Sequence, residues 1–427
     1  MALAEKLARR SPIYYGWVIL AAAGSSMVVR NAAASLTIAV FIFPLAEDLG
    51  WSRTLIAGAA SLGGVLATLA SPVVGWLVDK YGARLVLASS IFILGLSTMS
   101  LAWATAPVAF YLAYATGRVI FSSPIQIGAS VVVSRWFIRT RGRANGLLSV
   151  SHSIGMVSFP VIASLIIAGS GWRSAWFVLG LMVWIIALLP VSLLIVQRPE
   201  DVGLLPDGDT PDPGTADGAT ATVEEPEWTS KEAMRTSALW ILAIGIGLLF
   251  VMQSGINVHM AAYFRDQGLS ASVAGLALSF NAGFMGVSSM IWGWLVDKLP
   301  ARLTLALVAL IMAIASVLLV AADTNVEALG YSGLFGFGVG GLLVVPPVAF
   351  ANYFGRRSLG VVRGIAEPFT SMGQAIGALL SGRIFDITGS YMIAFMTFAV
   401  IGGATMILVM LARPPKHVSE VAKAQNP

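Results

Sequence analysis

Two arginines inside long apolar stretches of this 427-residue chain are the first candidates for chemistry. Arg30 lies about midway along the first stretch, where its planar guanidinium could bind both oxygens of a carboxylate. The alternative is a structural arginine that backbone carbonyls satisfy. Arg118, in the fourth stretch, could add a second positive charge or link its helix to its neighbours. Because a charge at that depth is costly, we expect each arginine to face a partner or a polar cavity.

Glu367 and His152 are candidates for proton exchange within other apolar stretches. A desolvated carboxylate has a raised pKa, and histidine titrates near neutrality. For Glu367 the alternative is a pair with a nearby arginine, and Arg363 lies one turn before it. We expect that pairing, and we expect His152 to be a neutral packing residue. Both stay candidates for proton coupling.

Isolated amides in the second half of the chain are further candidate binding residues. These are Gln253, Asn257 and Asn281. They could line a path for a ligand or only hydrogen-bond between helices. The chain has no cysteine and its three histidines are far apart, so we expect no metal site. The run 336–341 formally matches a dinucleotide fingerprint but lacks the strand that this motif requires. We therefore expect no cofactor and no enzymatic activity.

The elements that must position these residues are membrane helices. Hydrophobic residues make up 57% of the chain and charged residues only 11%, against roughly a quarter charged in soluble domains. A helix crosses the hydrocarbon core with about 20 apolar residues. We predict an all-α membrane protein with twelve transmembrane spans, at 13–43, 54–78, 85–105, 108–134, 144–168, 174–196, 238–264, 271–296, 303–322, 328–354, 360–383 and 390–412.

One hexapeptide, Gly-Trp-Leu-Val-Asp-Lys, occurs twice. It begins at Gly75 and returns unchanged at Gly293, an offset of 218 positions. Each copy ends an apolar stretch, and an arginine follows soon after, at Arg84 and Arg302. An internal repeat of this kind indicates a duplicated unit. The spans therefore divide into two similar bundles of six.

The predicted domains are an N-terminal six-helix bundle at 1–196, a linker at 197–236 and a C-terminal bundle with a short tail at 237–427. The linker is rich in acidic residues, proline and glycine. A segment of that composition cannot bury enough apolar surface to offset its ordering entropy. We therefore expect the linker to be flexible.

Lysine and arginine predict the orientation, because cytoplasmic loops carry an excess of them. With a cytoplasmic N-terminus, twenty basic residues lie on that side, among them Arg9, Arg10, Lys416 and Lys423. Only four lie on the other side: Arg53, Arg173, Arg265 and Arg383. We expect a multi-pass protein of the inner (plasma) membrane, with both termini, the linker and both hexapeptides in the cytoplasm. The basic residues occupy short turns, so nucleic acid is not an expected partner.

Twelve spans in two similar halves, each with a Gly-x-x-x-Asp-Lys turn after its second span, resemble the major facilitator superfamily. Gly75, Asp79 and Arg84 follow that family's signature, whereas the second copy has Pro300 in place of a glycine. The resemblance implies gating roles for Gly75, Asp79, Arg84 and Asp297. We expect each aspartate to accept hydrogen bonds from a helix N-terminus and to hold the cytoplasmic side closed. Asp297 should contribute less, because its turn departs from the pattern.

Five motifs resemble bacterial relatives of the monocarboxylate and oxalate/formate transporters: Tyr14–Trp17, Gly50–Arg53, Arg135–Phe137, Gly171–Arg173 and Arg198–Leu204. This resemblance implies a secondary carrier of a small organic anion, foremost a monocarboxylate, that works by alternating access with or without protons. It favours substrate binding by Arg30, because the first helix lines the cavity in that family. Oxalate-type relatives use basic residues in spans eight and eleven. Span eight has none here, and span eleven has only Arg363 and Arg383 near its ends, which argues against dianion exchange of that type.

Two other functions stay open. A multidrug-type efflux carrier would want a membrane carboxylate, whereas this chain has two arginines near mid-membrane against one off-centre glutamate. A transporter-like receptor would be expected to carry a folded signalling domain, for which the linker is too short. We expect a monomer in the lipid bilayer, with a small organic anion as its partner.

Overall fold

The computed structural model describes residues 6–8, 12–209 and 228–415, and the structural statements below concern those residues. Within them the chain is helical and contains no β-strand. Residues 210–227 of the predicted linker lie outside the described residues. So do Arg9, Arg10, Lys416 and Lys423, which entered the charge count.

The first six predicted spans are helical, but spans one, four and six are interrupted. Span one comprises Gly16–Val29, a 3-10 turn Arg30–Ala33, Ser35–Ala39 and an extension Ile42–Leu49. Span two is Arg53–Tyr81, span three is Ala83–Ser100, and span four consists of Pro107–Ser122 and Pro124–Trp136. Spans five and six share the helix Arg141–Val183, and span six continues as Trp184–Leu188 and Leu189–Leu194. Gly171 separates spans five and six, since its positive φ of 80° ends one helix before the next begins.

The second six spans are each one continuous helix. They are Ser237–Asp266, Ala271–Lys298, Ala301–Val320, Asn325–Phe354, Leu359–Thr388 and Tyr391–Met410. Their starts follow from local sequence, because a hydroxyl precedes several of them and accepts an otherwise unpaired N–H group. The Ser270 hydroxyl accepts the N–H of Val273 at 3.3 Å, and that of Thr324 accepts the N–H of Glu327 at 3.3 Å.

The twelve-helix prediction is confirmed. By length and composition, nine helical stretches of the described chain could cross a membrane, and one of them, Arg141–Leu194, holds two predicted spans. Span four, divided at Ser123, and span eleven complete the twelve. Large apolar side chains such as Leu69, Leu165 and Val287 are about 70% exposed along their helices. Such surfaces suit contact with lipid.

The described residues form two compact units. Unit 1 comprises the described parts of Met1–Arg139 and Ser151–Glu224 together with Leu359–Ile365. Unit 2 comprises Thr140–Val150 and the described parts of Glu225–Ser358 and Ala366–Pro427. The start of span eleven therefore belongs with the first half of the sequence, and the start of span five with the second half. The boundaries at 196 and 237 stay a prediction.

Candidate functional site

Arg30 and Arg118 come together in unit 1 on the phenyl ring of Phe121, in span four. The guanidinium carbon of Arg30 lies 4.4 Å from the ring centroid, and that of Arg118 lies 4.6 Å from it. Both distances allow a cation–π interaction, because the face of an aromatic ring is electronegative. One ring thus carries the two positive charges that the sequence had placed in separate spans.

The guanidinium of Arg30 is fixed by groups from spans four and five. Its Nη1 donates to the carbonyl of Phe121 at 3.2 Å and to Oε1 of Gln126. Its Nε donates to Nδ1 of His152 at 3.4 Å. Arg30 is only 7% exposed. The guanidinium of Arg30 is therefore held within the protein both by its contact with the Phe121 ring and by these hydrogen bonds.

His152 takes part as a neutral acceptor. Besides the Arg30 Nε, the amide nitrogen of Asn31 lies 3.2 Å from the same Nδ1 atom. Guanidinium and amide nitrogens only donate, so Nδ1 carries no proton and the imidazole proton is on Nε2. This arrangement suits the packing role expected for His152. A role in proton coupling stays a prediction.

Two glycines give the arginine cluster its space. A Cβ on Gly155 in span five would lie 2.2 Å from the carbonyl oxygen of Val28 and 2.5 Å from the amide nitrogen of Asn31. A Cβ on Gly63 in span two would lie 2.5 Å from the Cβ of Arg118. Only glycine permits such close approach between helices. A side chain at either position would displace the cluster.

Arg118 keeps a donor that the described protein does not use. Its Nε is buried, and no described residue accepts a hydrogen bond from it. A buried polar group of this kind costs about 1–3 kcal/mol when unsatisfied, and more when it is charged. A water molecule or a ligand could supply the missing acceptor. A carboxylate is well matched, since its two oxygens can accept from two nitrogens of one guanidinium.

The three predicted amides of the second half differ in their hydrogen-bond partners. Asn281 donates to the carbonyl of Ser332 at 3.2 Å, as the helix-packing alternative expects. Gln253 is half-buried in span seven. Asn257 is also half-buried, and its Oδ1 has no hydrogen-bond partner among the described residues.

Glu367 is half-buried in span eleven, one turn beyond the buried Arg363. The functional roles of Glu367 and of the three amides stay predictions.

The first hexapeptide packs on the start of span eleven. The Asp79 carboxylate accepts the N–H groups of Gly360 at 3.0 Å and Val361 at 2.8 Å. One turn earlier, a Cβ on Gly75 would lie 2.2 Å from the carbonyl oxygen of Gly360. The negative charge therefore sits at the positive end of a helix dipole, and glycine allows the helices to approach.

The second hexapeptide makes the same contacts with the start of span five. The Asp297 carboxylate accepts the N–H groups of Gly142 at 2.6 Å and Arg143 at 3.1 Å. A Cβ on Gly293 would lie 2.4 Å from the carbonyl oxygen of Gly142. The offset of 218 relates every member of the two sets. We call Ser71, Gly75, Asp79, Gly360 and Gly364 the first clamp, and Ser289, Gly293, Asp297, Gly142 and Gly146 the second clamp.

The two clamps differ in the arginine beside the carboxylate. Nη2 of Arg135 lies 2.8 Å from Asp79, and Arg135 is 1% exposed. Nε of Arg143 lies 3.8 Å from Asp297, and Arg143 is 50% exposed. The arginine of the first clamp is thus buried and that of the second is half exposed, while Asp79 and Asp297 are 14% and 6% exposed. Arg84, the other predicted gating residue, donates from Nε to the carbonyl of Ser192 at 2.8 Å and joins spans three and six.

Twelve helices that suit a lipid environment, with one hexapeptide repeated in the two halves of the sequence, are typical of a polytopic membrane transport protein. The chain belongs to the Major Facilitator Superfamily, whose family model matches residues 18–320 and 242–427. The predicted family is therefore confirmed. So is the prediction of a transporter and not an enzyme.

The relatives and solved structures to which the chain is similar include transporters of small molecules. It is 23% identical over 397 residues to the oxalate:formate antiporter of Oxalobacter formigenes, covering 90% of this chain and 89% of the relative. It is 26% identical over 405 residues to monocarboxylate transporter 13 of Bos taurus, covering 92% and 87%. Its fold is similar to that of the proton:xylose symporter XylE, with a TM-score of 0.75 and 14% identity over 96% of this chain and 99% of that one. It is also similar to the human organic anion transporter MFSD10, with a TM-score of 0.70 and 16% identity over 92% and 99%.

Proposed function

We propose that the protein is a secondary carrier of small organic anions, foremost monocarboxylates, and that Arg118 binds the carboxylate. The observation that carries this proposal is the buried Nε of Arg118, which no described residue satisfies. The names of the relatives support the same substrate class, because they include an oxalate:formate antiporter and a monocarboxylate transporter.

The division of labour between the arginines favours one carboxylate over two. Arg30 already donates to Phe121, Gln126 and His152. Arg118 is left to receive the ligand, while the fixed charge of Arg30 over the same Phe121 ring adds a favourable electrostatic field. A single carboxylate satisfies the Arg118 guanidinium, and an apolar remainder suits the surrounding spans.

Uptake into proteoliposomes tests the proposed function. With purified protein, at least one radiolabelled monocarboxylate should accumulate above the level of protein-free liposomes. Unlabelled carboxylates should compete, whereas their neutral amides should not, because an amide brings no charge to the guanidinium. Transport of a lipophilic cation or a neutral sugar, with no carboxylate of a broad panel carried, would overturn this proposal.

For the transport cycle, we propose that the two clamps hold the starts of spans five and eleven during one state and release them in the other. Each clamp joins the start of a helix from one half of the sequence to the second span of the other half. Glu367 and His152 stay the candidates for coupling to protons. It is the two clamps, and not these two residues, that have matched geometry in both halves of the sequence.

The proposed orientation puts the linker in the cytoplasm, and protease protection tests it. Protease added to sealed right-side-out vesicles should leave residues 197–236 intact, since twenty basic residues against four favour this side as cytoplasmic. Inverted vesicles, or lysis with detergent, should expose the linker to cleavage. Cutting within 197–236 in sealed right-side-out vesicles would reverse the orientation.

A further inference from the structure

The first residues after span six form a strap on unit 1. Gln197 begins it, and its Oε1 accepts the N–H of Ala83, the first residue of span three, at 2.7 Å. Two 3-10 turns follow, Pro199–Val202 and Pro206–Gly208. We call residues 197–209 the strap. It is the described beginning of the segment whose composition predicts a flexible linker, and its contacts are specific.

Asp207 makes the central contact of the strap. Its carboxylate accepts the N–H groups of Ile138 and Arg139, both at 2.9 Å. The backbone of Asp207 has a φ of 57°, and among the described residues it is the one non-glycine residue with positive φ. Aspartate tolerates that region better than most residues, at a cost in conformational energy. The two hydrogen bonds offset this cost by holding the loop between spans four and five.

Aromatic residues fix the strap beside the same loop. The hydroxyl of Tyr14 donates to the carbonyl of Trp136 at 2.9 Å, and a Cβ on Gly208 would lie 3.1 Å from the Tyr14 ring. Nε1 of Trp136 donates to the carbonyl of Val196 at 2.9 Å. Trp136 thus holds the residue that precedes the strap, and Ile138, two residues later, holds Asp207.

The held loop leads straight into the second clamp. Span five begins at Arg141, two residues after Arg139. The N–H groups of Gly142 and Arg143 then go to Asp297. Within six residues, therefore, two carboxylates from distant parts of the sequence each hold two consecutive N–H groups: Asp207 takes those before the helix, and Asp297 takes those at its start.

We propose that Asp207 is a positioning residue of the transport cycle. Because the chain runs from Arg139 to Gly142 in only three residues, holding the loop at 138–139 restrains the start of span five, whose N–H groups Asp297 accepts. Releasing the strap then loosens the second clamp. The inference rests on the proposed role of the clamps, but it does not depend on the identity of the substrate.

The test uses the fact that the chain has no cysteine. A single Ser289→Cys reporter lies in the second clamp, where Ser289 is fully buried and donates to the carbonyl of Met285 at 2.8 Å. Thiol-labelling rate in purified protein then reports opening. Asp207→Gly keeps the positive φ and removes the carboxylate. It should speed labelling about tenfold, which corresponds to about 1.4 kcal/mol of closing free energy.

Companion variants separate this role from general damage. Asp207→Asn keeps an acceptor oxygen and tolerates positive φ, so its effect should be smaller in the same direction. Asp209→Gly removes only the exposed ion pair with Arg139 and should change labelling by less than about threefold. A melting temperature for each variant shows that it is folded.

A double-mutant cycle gives the sharpest outcome. In an Asp297→Asn background, Asp207→Gly should add nothing, because the contact that it positions is already lost. In an Asp79→Asn background it should keep its full effect. Independent, multiplying effects of Asp207→Gly and Asp297→Asn would overturn the proposal. So would unchanged labelling in Asp207→Gly protein when Asp297→Asn speeds it. If Asp297→Asn also leaves the labelling rate unchanged, the proposed role of the second clamp is wrong as well as that of Asp207.

Discussion

Arg118→Gln protein is expected to lose nearly all carboxylate uptake while it folds normally. The variant removes the guanidinium whose buried Nε has no partner in the described protein. Losing one charge-assisted pair with a buried carboxylate costs about 2–5 kcal/mol of binding. Initial rates of monocarboxylate uptake into proteoliposomes, measured over a range of substrate concentrations, should therefore show a loss of more than about 30-fold in the apparent affinity.

Three further variants test the specificity of that result. Arg53→Gln removes an exposed arginine at the start of span two and should leave uptake unchanged. Arg118→Lys keeps the charge without the planar fork, so its uptake should fall between those of the wild type and Arg118→Gln. Arg30→Lys should weaken uptake far more than a conservative exchange suggests, since it breaks the contacts with Gln126 and His152. Full uptake by Arg118→Gln protein would show that Arg118 does not bind the anion.

Asp79→Asn is expected to open the first clamp much more than Asp297→Asn opens the second. Both variants weaken two bonds to a helix start. Asp79→Asn also removes the negative charge that lies 2.8 Å from Nη2 of Arg135, a residue that is 1% exposed. Breaking a buried ion pair costs about 3–5 kcal/mol. The pair of Arg143 with Asp297 should contribute less, because Arg143 is 50% exposed and its Nε lies 3.8 Å from the carboxylate, although Asp297 itself is 6% exposed.

Matched reporters measure both clamps in the cysteine-free chain. Ser71→Cys and Ser289→Cys occupy the same place in the first and second clamp, and both serines are buried. Asp79→Asn should raise thiol labelling by about 100-fold or more and lower transport. Asp297→Asn should raise labelling by less than about tenfold. Unchanged labelling and transport in both variants would leave the hexapeptide as a trace of duplication without a gating role.

The repeated hexapeptide was the strongest predictor of the two clamps. An identical hexapeptide in two halves predicted equivalent roles for Asp79 and Asp297, and the structure gives each two N–H groups of a helix start. The sequence suggested a weaker second copy because of Pro300. That proline lies at the N-cap of span nine, so it does not enter the hydrogen bonds of Asp297.

Other features depend on contacts that no local pattern contains. Arg30 and Arg118 were each conspicuous as charges in apolar stretches, but nothing in their spacing showed that one phenyl ring, Phe121, joins them. Gln126 was missed, although a polar residue two turns after Arg118 was a signal for it. Composition predicted a flexible linker, because an average over forty residues hides the short turn in which Asp207 meets the loop at 138–139.

Ligand-dependent thermal stability of the purified protein tests the central claim most directly. A ligand that binds only the folded state raises the melting temperature, by an amount that follows its concentration over Kd. A monocarboxylate should stabilise the wild type and its neutral amide should not, and Arg118→Gln protein should respond to neither. Equal stabilisation by the amide, or stabilisation of Arg118→Gln protein by the carboxylate, would contradict an anion site built on Arg118.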